Sequence, residues 1–267
     1  MTGRLATAIF ATALPLVLHA QDPTRPEQRA LLAKIQYYAD TYTQQLQDFT
    51  CTQMMTRSGA KAETRPDAAP KWKPLETQEI ELNFVGHREH YRLLKVNGDA
   101  RNPEKKVKNG YTRTSGEFGS MMRAVFDPKS RADFQWDHST PTAERRVCVY
   151  SYRVARENSS MGLRTEFRRI ALAYTGYVSA DCTTGQILRI ESDSEPDRSG
   201  FLIHTAIRYG PVNISDREFF LPTSVENVSG FDRTLTKAEI RFENYRKYNA
   251  DASIKFEDEV TEPPTKP

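Results

Sequence analysis

The side chains best suited to metal binding or acid–base chemistry in this sequence are four histidines, His87, His90, His138 and His204. His87 and His90 lie close together, but a spacing of three residues points two side chains to opposite faces of a strand. His138 and His204 have no such neighbour in the sequence. We therefore predict no metal site and expect these histidines to be exposed or packed residues.

Two short runs resemble ligand-binding loops only in part. The acidic residues of 191–197 alternate with neutral ones as in a calcium loop, but Pro196 interrupts them and Arg198 occupies the position that requires glycine. Residues 115–120 precede a helical pattern, where main-chain amides can bind an anion, yet the Lys and Ser or Thr of a phosphate loop are missing. We expect a solvated loop in the first case and a helix cap in the second.

Motifs of known hydrolases are absent from the sequence. It contains no Gly-x-Ser-x-Gly elbow, and no cysteine stands in a papain-type or thioredoxin-type context. A hydrolase triad assembled from distant residues stays open as an alternative, because geometry and not chain order defines it. We predict a non-enzymatic protein without a cofactor.

The first twenty residues have the features of a secretory signal peptide. Arg4 precedes an apolar run from Leu5 to Leu18, which is shorter than the roughly 20 residues that cross a bilayer, and the small Ala20 ends the segment. We expect cleavage after Ala20. Since no cysteine lies near this boundary and no later segment is apolar enough to span a membrane, we predict a soluble periplasmic or secreted protein without a transmembrane anchor.

The charge distribution argues against a nucleic acid as the partner. The formal net charge is +3, with 38 basic and 35 acidic residues interspersed along the chain. Binding of nucleic acid needs a concentrated basic face, which this pattern does not provide.

Three cysteines follow the signal segment: Cys51, Cys148 and Cys182. In an oxidising compartment two of them can form a disulfide, and we favour Cys148 with Cys182 because both lie in the same run of predicted strands. The sequence does not determine the connectivity, so three buried thiols that behave as small apolar residues remain the alternative.

Two segments carry apolar residues at helical spacing. Between Pro26 and Leu46 these residues recur every three or four positions, which predicts an amphipathic helix that covers a sheet. A second, short helix is predicted from Phe118 to Phe126 and ends at Asp127-Pro128, because proline disfavours a helical residue before it.

Most other segments alternate apolar and polar residues, as strands with one wet face do. Ile80, Leu82 and Phe84 alternate with acidic and amide residues, and Asn97-Gly98 is typical of a tight hairpin turn. Further strands are predicted at Phe49–Met55, His90–Val96, Ala132–Trp136, Arg145–Val154, Arg169–Ala180, Gln186–Ser192, Phe201–Tyr209, Glu218–Val228 and Leu235–Tyr248. The predicted fold is mainly β with helices (α+β): a curved antiparallel meander or incomplete β-barrel packed on the N-terminal helix and the inserted short helix.

We predict one β-rich domain over residues 21–250, since single β domains reach roughly 200–250 residues. Residues 58–74 hold Gly59 and three prolines among charges, which predicts a mobile loop. Residues 251–267 are too polar to pack and are predicted to be a disordered tail.

The order of these elements, together with several short segments, resembles the bacterial lipoprotein-carrier superfamily of the LolA and LolB type. The segments are Asp48-Phe49-Thr50-Cys51-Thr52-Gln53, Gly116-Glu117-Phe118-Gly119, Phe134-Gln135-Trp136, Tyr174-Thr175-Gly176-Tyr177 and Phe220-Leu221-Pro222. The resemblance covers most of Glu27 to Tyr248. It implies a strongly curved, incompletely closed sheet that holds acyl chains beneath a helical lid.

The resemblance implies a hydrophobic cavity and therefore a non-enzymatic binding protein for an apolar or amphipathic ligand, a lipid or lipoprotein acyl chain. The candidate lining residues are Phe84, Tyr91, Met121, Met122, Phe126, Phe134, Trp136 and Tyr150. The same aromatic residues can instead fill an ordinary core. In that case the protein is a cell-envelope interaction module that binds another protein by its sheet edge or polar loops.

Overall fold

The computed structural model describes residues 22–62, 69–100, 118–164, 169–195 and 200–249. The predicted signal peptide (1–20) and tail (251–267) therefore lie outside the described residues, as does the predicted helix cap at Ser115.

Eleven antiparallel strands form one large, open, curved sheet, which confirms the predicted fold class. The strands of this sheet are β1 (Phe49–Lys61), β2 (Lys73–Val85), β3 (Arg88–Val96), β4 (Asp99–Ala100), β5 (Asp133–Pro141), β6 (Arg146–Val154), β9 (Tyr174–Asp181), β10 (Ile187–Ser194), β11 (Leu202–Ile214), β12 (Arg217–Phe231) and β13 (Thr234–Lys247). Between β6 and β9, β7 (Gly162–Arg164) and β8 (Arg169–Ala171) form a separate two-stranded sheet. The order across the large sheet is β4-β3-β2-β1-β13-β12-β11-β10-β9-β6-β5.

The first and last strands along the chain lie next to each other within this sheet. Strands β1 and β13 pair from Phe49↔Lys247 to Lys61↔Thr234, with one register shift near Thr50. On each side of this junction, neighbouring strands follow the order of the chain. The predicted meander is thus two meanders joined by a long-range pair.

Two helices pack on one face of the sheet. Helix α1 (Arg25–Gln45) begins after Thr24, whose main-chain N–H and hydroxyl both donate to the Glu27 carboxylate at 2.7 and 2.8 Å. The bond from the Thr24 main-chain N–H to Glu27 is one half of the reciprocal capping box that starts many helices. Helix α2 (Ser120–Phe126) ends before Asp127, and the next residue is Pro128, as the sequence predicts.

Two element boundaries differ from the prediction. Residues 58–74 are not all loop, because Ser58–Lys61 pair with β13 and Lys73 and Pro74 pair with β1. A loop was predicted because glycine and proline are frequent in loops. In the structure a bulge at the Arg57/Ser58 step accommodates the irregular stretch within the paired strands. The strand predicted over Arg169–Ala180 is also divided, because Leu172 and Ala173 separate β8 from β9.

The predicted hairpin turns lie where their residues favour positive φ. Asn97 and Gly98 have φ of 52° and 87°, and Gly185, between β9 and β10, has φ of 76°. A Cβ atom on Gly185 would lie 2.7 Å from the main-chain carbon of Lys34 in α1. Glycine at this turn therefore lets α1 approach the sheet closely.

A disulfide joins Cys148 on β6 to Cys182 in the β9–β10 turn, the pair favoured from the sequence. The main-chain N–H of Cys182 also donates to the Arg146 carbonyl at 2.9 Å. Cys51 is buried and is not part of a disulfide within the described residues. The bridge ties the turn beside α1 to a neighbouring strand of the sheet.

Replacing both Cys148 and Cys182 with alanine should lower the free energy of unfolding by about 2–4 kcal/mol, because the bridge closes a long loop in the unfolded chain. The two residues are 34 positions apart. Urea unfolding with and without a thiol reductant measures the effect. Cys51→Ala is the matched control and should keep the sensitivity to reductant; a wild-type midpoint that reductant does not move contradicts the prediction.

Candidate binding face of the sheet

The face on which α1 and α2 pack is called here the helix-bearing face. It carries Phe49, Leu82, Ile240, Ile207 and Tyr150, all buried in one core cluster with residues of both helices. Directly paired residues of antiparallel strands lie on the same face, so the register assigns the other side chains to this face.

One row of apolar side chains crosses the middle of the helix-bearing face. Each residue pairs with the next across seven neighbouring strands, in the order Met55, Ile240, Val225, Ile207, Ile190, Val178 and Tyr150. All seven are buried. This row is part of what we call the apolar end of the face, which continues to Phe49 at the start of β1.

An aromatic cluster fills the apolar end where α2 begins. The Phe118 ring lies 5.1 Å from both Phe49 and Phe242 and 6.4 Å from Phe84, measured between centroids. The main-chain N–H of Phe118 donates to the Glu89 carboxylate at 3.0 Å. The start of α2 is therefore held by apolar rings from three strands and by one polar contact.

A second aromatic cluster lies under the other end of α2. Phe126 stacks on Phe134 at 5.2 Å, and Tyr152 lies 6.0 Å from Phe134 and 6.2 Å from Tyr174. The Tyr174 hydroxyl donates to the Ala124 carbonyl of α2 at 2.6 Å. Burial raises the pKa of Tyr174 to about 12, so at neutral pH this phenol stays protonated and acts as a donor.

Helix α1 crosses the same face near the strand ends. The Tyr150 hydroxyl donates to the Gln28 carbonyl at 2.6 Å, and at the other end of the helix a ring nitrogen of His87 lies 2.9 Å from the Thr43 carbonyl. Between these points, Tyr42 packs edge-on against Tyr209 of β11 at 6.0 Å. Burial raises the pKa of Tyr42 well above its usual value, so this phenol is uncharged.

The eight residues proposed from the sequence all belong to this core, but they do not lie together. Phe84, Met122, Phe126 and Tyr150 are buried in it. Tyr91, Met121, Phe134 and Trp136 are partly buried and pack against it. Phe84 and Tyr91 lie on β2 and β3, whereas Phe134, Trp136 and Tyr150 lie on β5 and β6, and the remaining three lie on α2. The part they play in holding a ligand stays a prediction.

The row next to the apolar row is polar, although it is also largely covered. In the same strand order it contains Glu76, Arg57, Ala238, Asn227, Thr205 and Ser192. Thr205 and Ser192 are buried, and the Asn227 amide donates to the Thr205 hydroxyl at 2.8 Å. We call this row, with Gln78 beside it, the polar end of the helix-bearing face. Gln53 lies on the other side of Met55, within the apolar end.

An ion pair lies at the β2 side of the polar end. The Arg57 guanidinium is 2.7 Å from the Glu76 carboxylate, and the two side chains are only 11% and 13% exposed. Gln78, which is buried, donates to the same Glu76 oxygen at 2.8 Å. Two opposite charges are thus held together at a position where a sheet core normally has apolar residues.

The buried side-chain atoms of this face without a hydrogen-bond partner among the described residues include Nε of Arg57, a donor, and Oγ of Ser192 at the polar end. They also include Oε1 of Gln53, an acceptor, within the apolar end. Buried polar groups in native proteins are nearly always paired, so each unpaired atom requires an explanation. A bound polar group is one such explanation.

The polar end was not predicted, although its pattern is present in the sequence. The alternation Phe84, Leu82, Ile80 continues backward to Gln78 and Glu76, and on β1 the same alternation from Phe49 reaches Gln53 and Arg57. The first strand was predicted to end at Met55, before Arg57. Extending the two alternations places four polar side chains on the core face.

The other candidate residues are dispersed. His87 lies in the β2–β3 turn and not on the strand of His90, because Gly86 and His87 both adopt positive φ. A ring nitrogen of His138 lies 2.5 Å from the Asp137 carboxylate, and one of His204 lies 2.7 Å from Asp193. Within the described part of the chain, no group of three or more His, Cys, Asp or Glu side chains is arranged to hold a metal.

The acidic run is not a single loop. Glu191 and Asp193 belong to strand β10, where they contact Arg189 and His204, and Glu195 pairs with Arg153 at 2.8 Å. The solvated loop that we predicted over this run is therefore wrong for its first half. Residues 196–199 lie outside the described residues.

The sequence matches no protein-family model and no curated protein. Among solved structures, a LolA superfamily protein from Nitrosomonas europaea matches with a TM-score of 0.38 and 12% identity, over 87% of this chain and 98% of that chain. A domain assigned to outer membrane lipoprotein sorting from Vibrio parahaemolyticus matches with a TM-score of 0.36 and 10% identity, over 84% of this chain and 94% of that chain. A DUF1329 family protein from Desulfovibrio piger matches with a TM-score of 0.42 and 13% identity, over 88% of this chain and 98% of that chain.

The superfamily that the sequence resembles is thus among these matches. At TM-scores below 0.5 the likeness concerns the general course of the chain, and the proposals below rest on the residues of this chain alone.

Replacing Arg57 with methionine should lower the free energy of unfolding by about 3–5 kcal/mol, because the Glu76 carboxylate is then buried without its partner. The double change Arg57→Met with Glu76→Met should cost far less, since two packed apolar side chains carry no unpaired charge. Urea unfolding at neutral pH measures both.

The matched control for this pair is Lys95 and Glu79, an exposed ion pair of the same 2.7 Å length on β3 and β2. Lys95→Met should cost about 1 kcal/mol or less. Equal losses for the single and double changes at Arg57 and Glu76 would contradict the prediction, because the unpaired Glu76 carboxylate would then add no cost.

Proposed function

We propose that this chain is a non-enzymatic, exported binding protein that holds one amphipathic ligand, a lipid or a lipoprotein acyl chain, on the helix-bearing face. The observation that carries the proposal is the division of one covered face into an apolar end and a polar end. An amphipathic ligand has the same division, so that its tail and its head group each meet a matching surface.

The dimensions of the apolar end suit an acyl tail. From Met55 to Phe49 strand β1 advances by six residue steps, which corresponds to about 20 Å at roughly 3.3 Å per residue. One leaflet of a bilayer has a hydrocarbon thickness of about 15 Å, half of the roughly 30 Å core. A tail laid along the strands therefore contacts mainly apolar side chains, with Gln53 as the polar exception on β1.

Entry of a tail requires a side-chain rearrangement, because the aromatic clusters pack directly against α2. This helix has seven residues, and its described polar ties to the sheet are the Phe118 and Ala124 contacts given above. Met121 and Met122 lie on it, and methionine side chains adapt to different apolar shapes at low cost. We place the tail between α2 and the apolar row.

Two features support export from the cytoplasm. Residues 1–20 have the pattern of a secretory signal peptide, and a disulfide such as Cys148–Cys182 persists in oxidising compartments. In the described part of the chain, no helix is long and apolar enough to cross a membrane. We propose a periplasmic or secreted location, with residues 21–250 as one domain.

A second candidate function is that of a cell-envelope module that binds another protein. The observation that favours it is a pair of exposed apolar side chains, Leu75 on β2 and Phe231 at the end of β12, which are 56% and 57% exposed. In this case the core stays filled and neither the wild type nor the variant retains lipid. The double change Leu75→Ser with Phe231→Ser should abolish binding of the partner protein.

Met121→Lys tests the proposed location of the tail. Met121 is partly buried on α2, so a lysine there keeps its ammonium near the surface in the unliganded protein but must bury it against a bound tail. Retention of a lipid taken up from vesicles, quantified after the protein is separated from them, should fall roughly tenfold or more, which is about 1.4 kcal/mol.

Met54→Lys is the matched control. Met54 is 38% exposed and follows Gln53 on β1, so its side chain lies on the opposite face of the sheet. It should retain lipid as the wild type does. Equal retention by all three proteins would place the tail elsewhere and contradict the proposal.

A further inference from the structure

We infer that the polar end selects a zwitterionic head group, one that carries both an anionic oxygen and an N–H donor, over a head group that is only anionic. This inference rests on the proposed function and names the class of ligand for the same face. It follows from the buried pair of Arg57 and Glu76 and from the unpaired Nε of Arg57.

The charges of the pair oppose each other at close range. Arg57 and Glu76 are 2.7 Å apart, so an anion that approaches the guanidinium also approaches the carboxylate. Like charges at such distances repel strongly where water is excluded. A ligand with a positive group next to its negative one meets the opposite charge on each side chain, whereas a purely anionic head meets one attraction and one repulsion.

The hydrogen-bonding capacity of the pair fits the same ligand. Both Arg57 Nη1 and Gln78 Nε2 donate to the same Glu76 oxygen, and Arg57 Nε remains without a partner among the described residues. Guanidinium groups recognise phosphate and carboxylate oxygens by such N–H donors. An ammonium group supplies the complementary donors for the Glu76 carboxylate.

A structural role alone accounts poorly for this pair. Packed apolar residues in place of a buried ion pair usually leave stability unchanged or increase it. The next row of the face toward the end of β1 contains Thr236, Ser229 and Ser194 together with Ile203 and Tyr174. The pair thus has further hydroxyl groups near it on β13 and β12.

Two further charged side chains stand at this end of the sheet. Lys61 and Lys73 are the last residue of β1 and the first of β2, and both are exposed. Their charges are screened by salt, while those of Arg57 and Glu76 are protected by burial. The lysines attract anionic lipids to the rim at low ionic strength, and the buried pair decides which head group is retained.

Competition between lipids with identical acyl chains tests the inference. The purified mature protein is incubated with vesicles of equimolar phosphatidylethanolamine, phosphatidylglycerol and phosphatidylcholine at physiological salt, and the retained lipids are quantified by mass spectrometry. We expect phosphatidylethanolamine to exceed phosphatidylglycerol roughly tenfold, the effect of one charge-assisted hydrogen bond. It should also exceed phosphatidylcholine, whose quaternary ammonium has no N–H.

Glu76→Gln should bring the ratio of phosphatidylethanolamine to phosphatidylglycerol to about one or below, because the amide oxygen still accepts from Arg57 but the negative charge is gone. Glu79→Gln on the same strand is the matched control, since Glu79 pairs with Lys95 and lies on the other face. It should keep the wild-type ratio. Melting curves verify that both variants fold.

The outcomes separate the two proposals. Retention of all three lipids in equal amounts by the wild type overturns the head-group inference and leaves the proposed function standing, and so does a ratio that Glu76→Gln does not change. The ratio of the lipids retained by the wild type is measured without any variant. A variant that fails to fold therefore leaves this test of the inference intact. If the wild type retains no lipid, both proposals fail.

Discussion

The pairing of β1 with β13 is the constraint on which the rest of the structure depends. These strands come from the two ends of the chain, and their register aligns the side chains of the two halves of the sheet into continuous rows. A shift of one residue would turn every side chain of β1 to the other face. The apolar row, the polar row and the surfaces on which both helices pack therefore all follow from this single long-range register.

The polar row has an energetic cost that the fold sustains. Arg57 and Glu76 lose hydration when they are covered, and their attraction repays this only in part. In the same row, Arg57 and Ser192 each bury an atom without a partner among the described residues. The large core accounts for how the fold tolerates this cost. In the function proposed above, a ligand that pairs with these atoms accounts for why the residues are there, so that stability comes from the apolar end and recognition from the polar end.

Local patterns in the sequence predicted the elements but not how they associate. The spacing of apolar residues in α1, the Asp127-Pro128 stop after α2 and the Asn97-Gly98 turn each depend on neighbouring residues, so they were predictable. The β1–β13 pair joins residues nearly two hundred positions apart, and no local signal contains that information. Predicting the polar end required both the local alternation and the pairing register. The alternation shows that Gln78 and Glu76 face the core, but only the register brings Arg57 beside Glu76.

The central claim is that the helix-bearing face holds an amphipathic molecule, and native mass spectrometry of the mature protein purified from producing cells tests it most directly. The account predicts a complex of the chain with one ligand, and extraction with organic solvent should release a molecule that has both an apolar tail and a polar head. A spectrum that contains only the mass of the chain, unchanged after incubation with a membrane extract, would contradict the account.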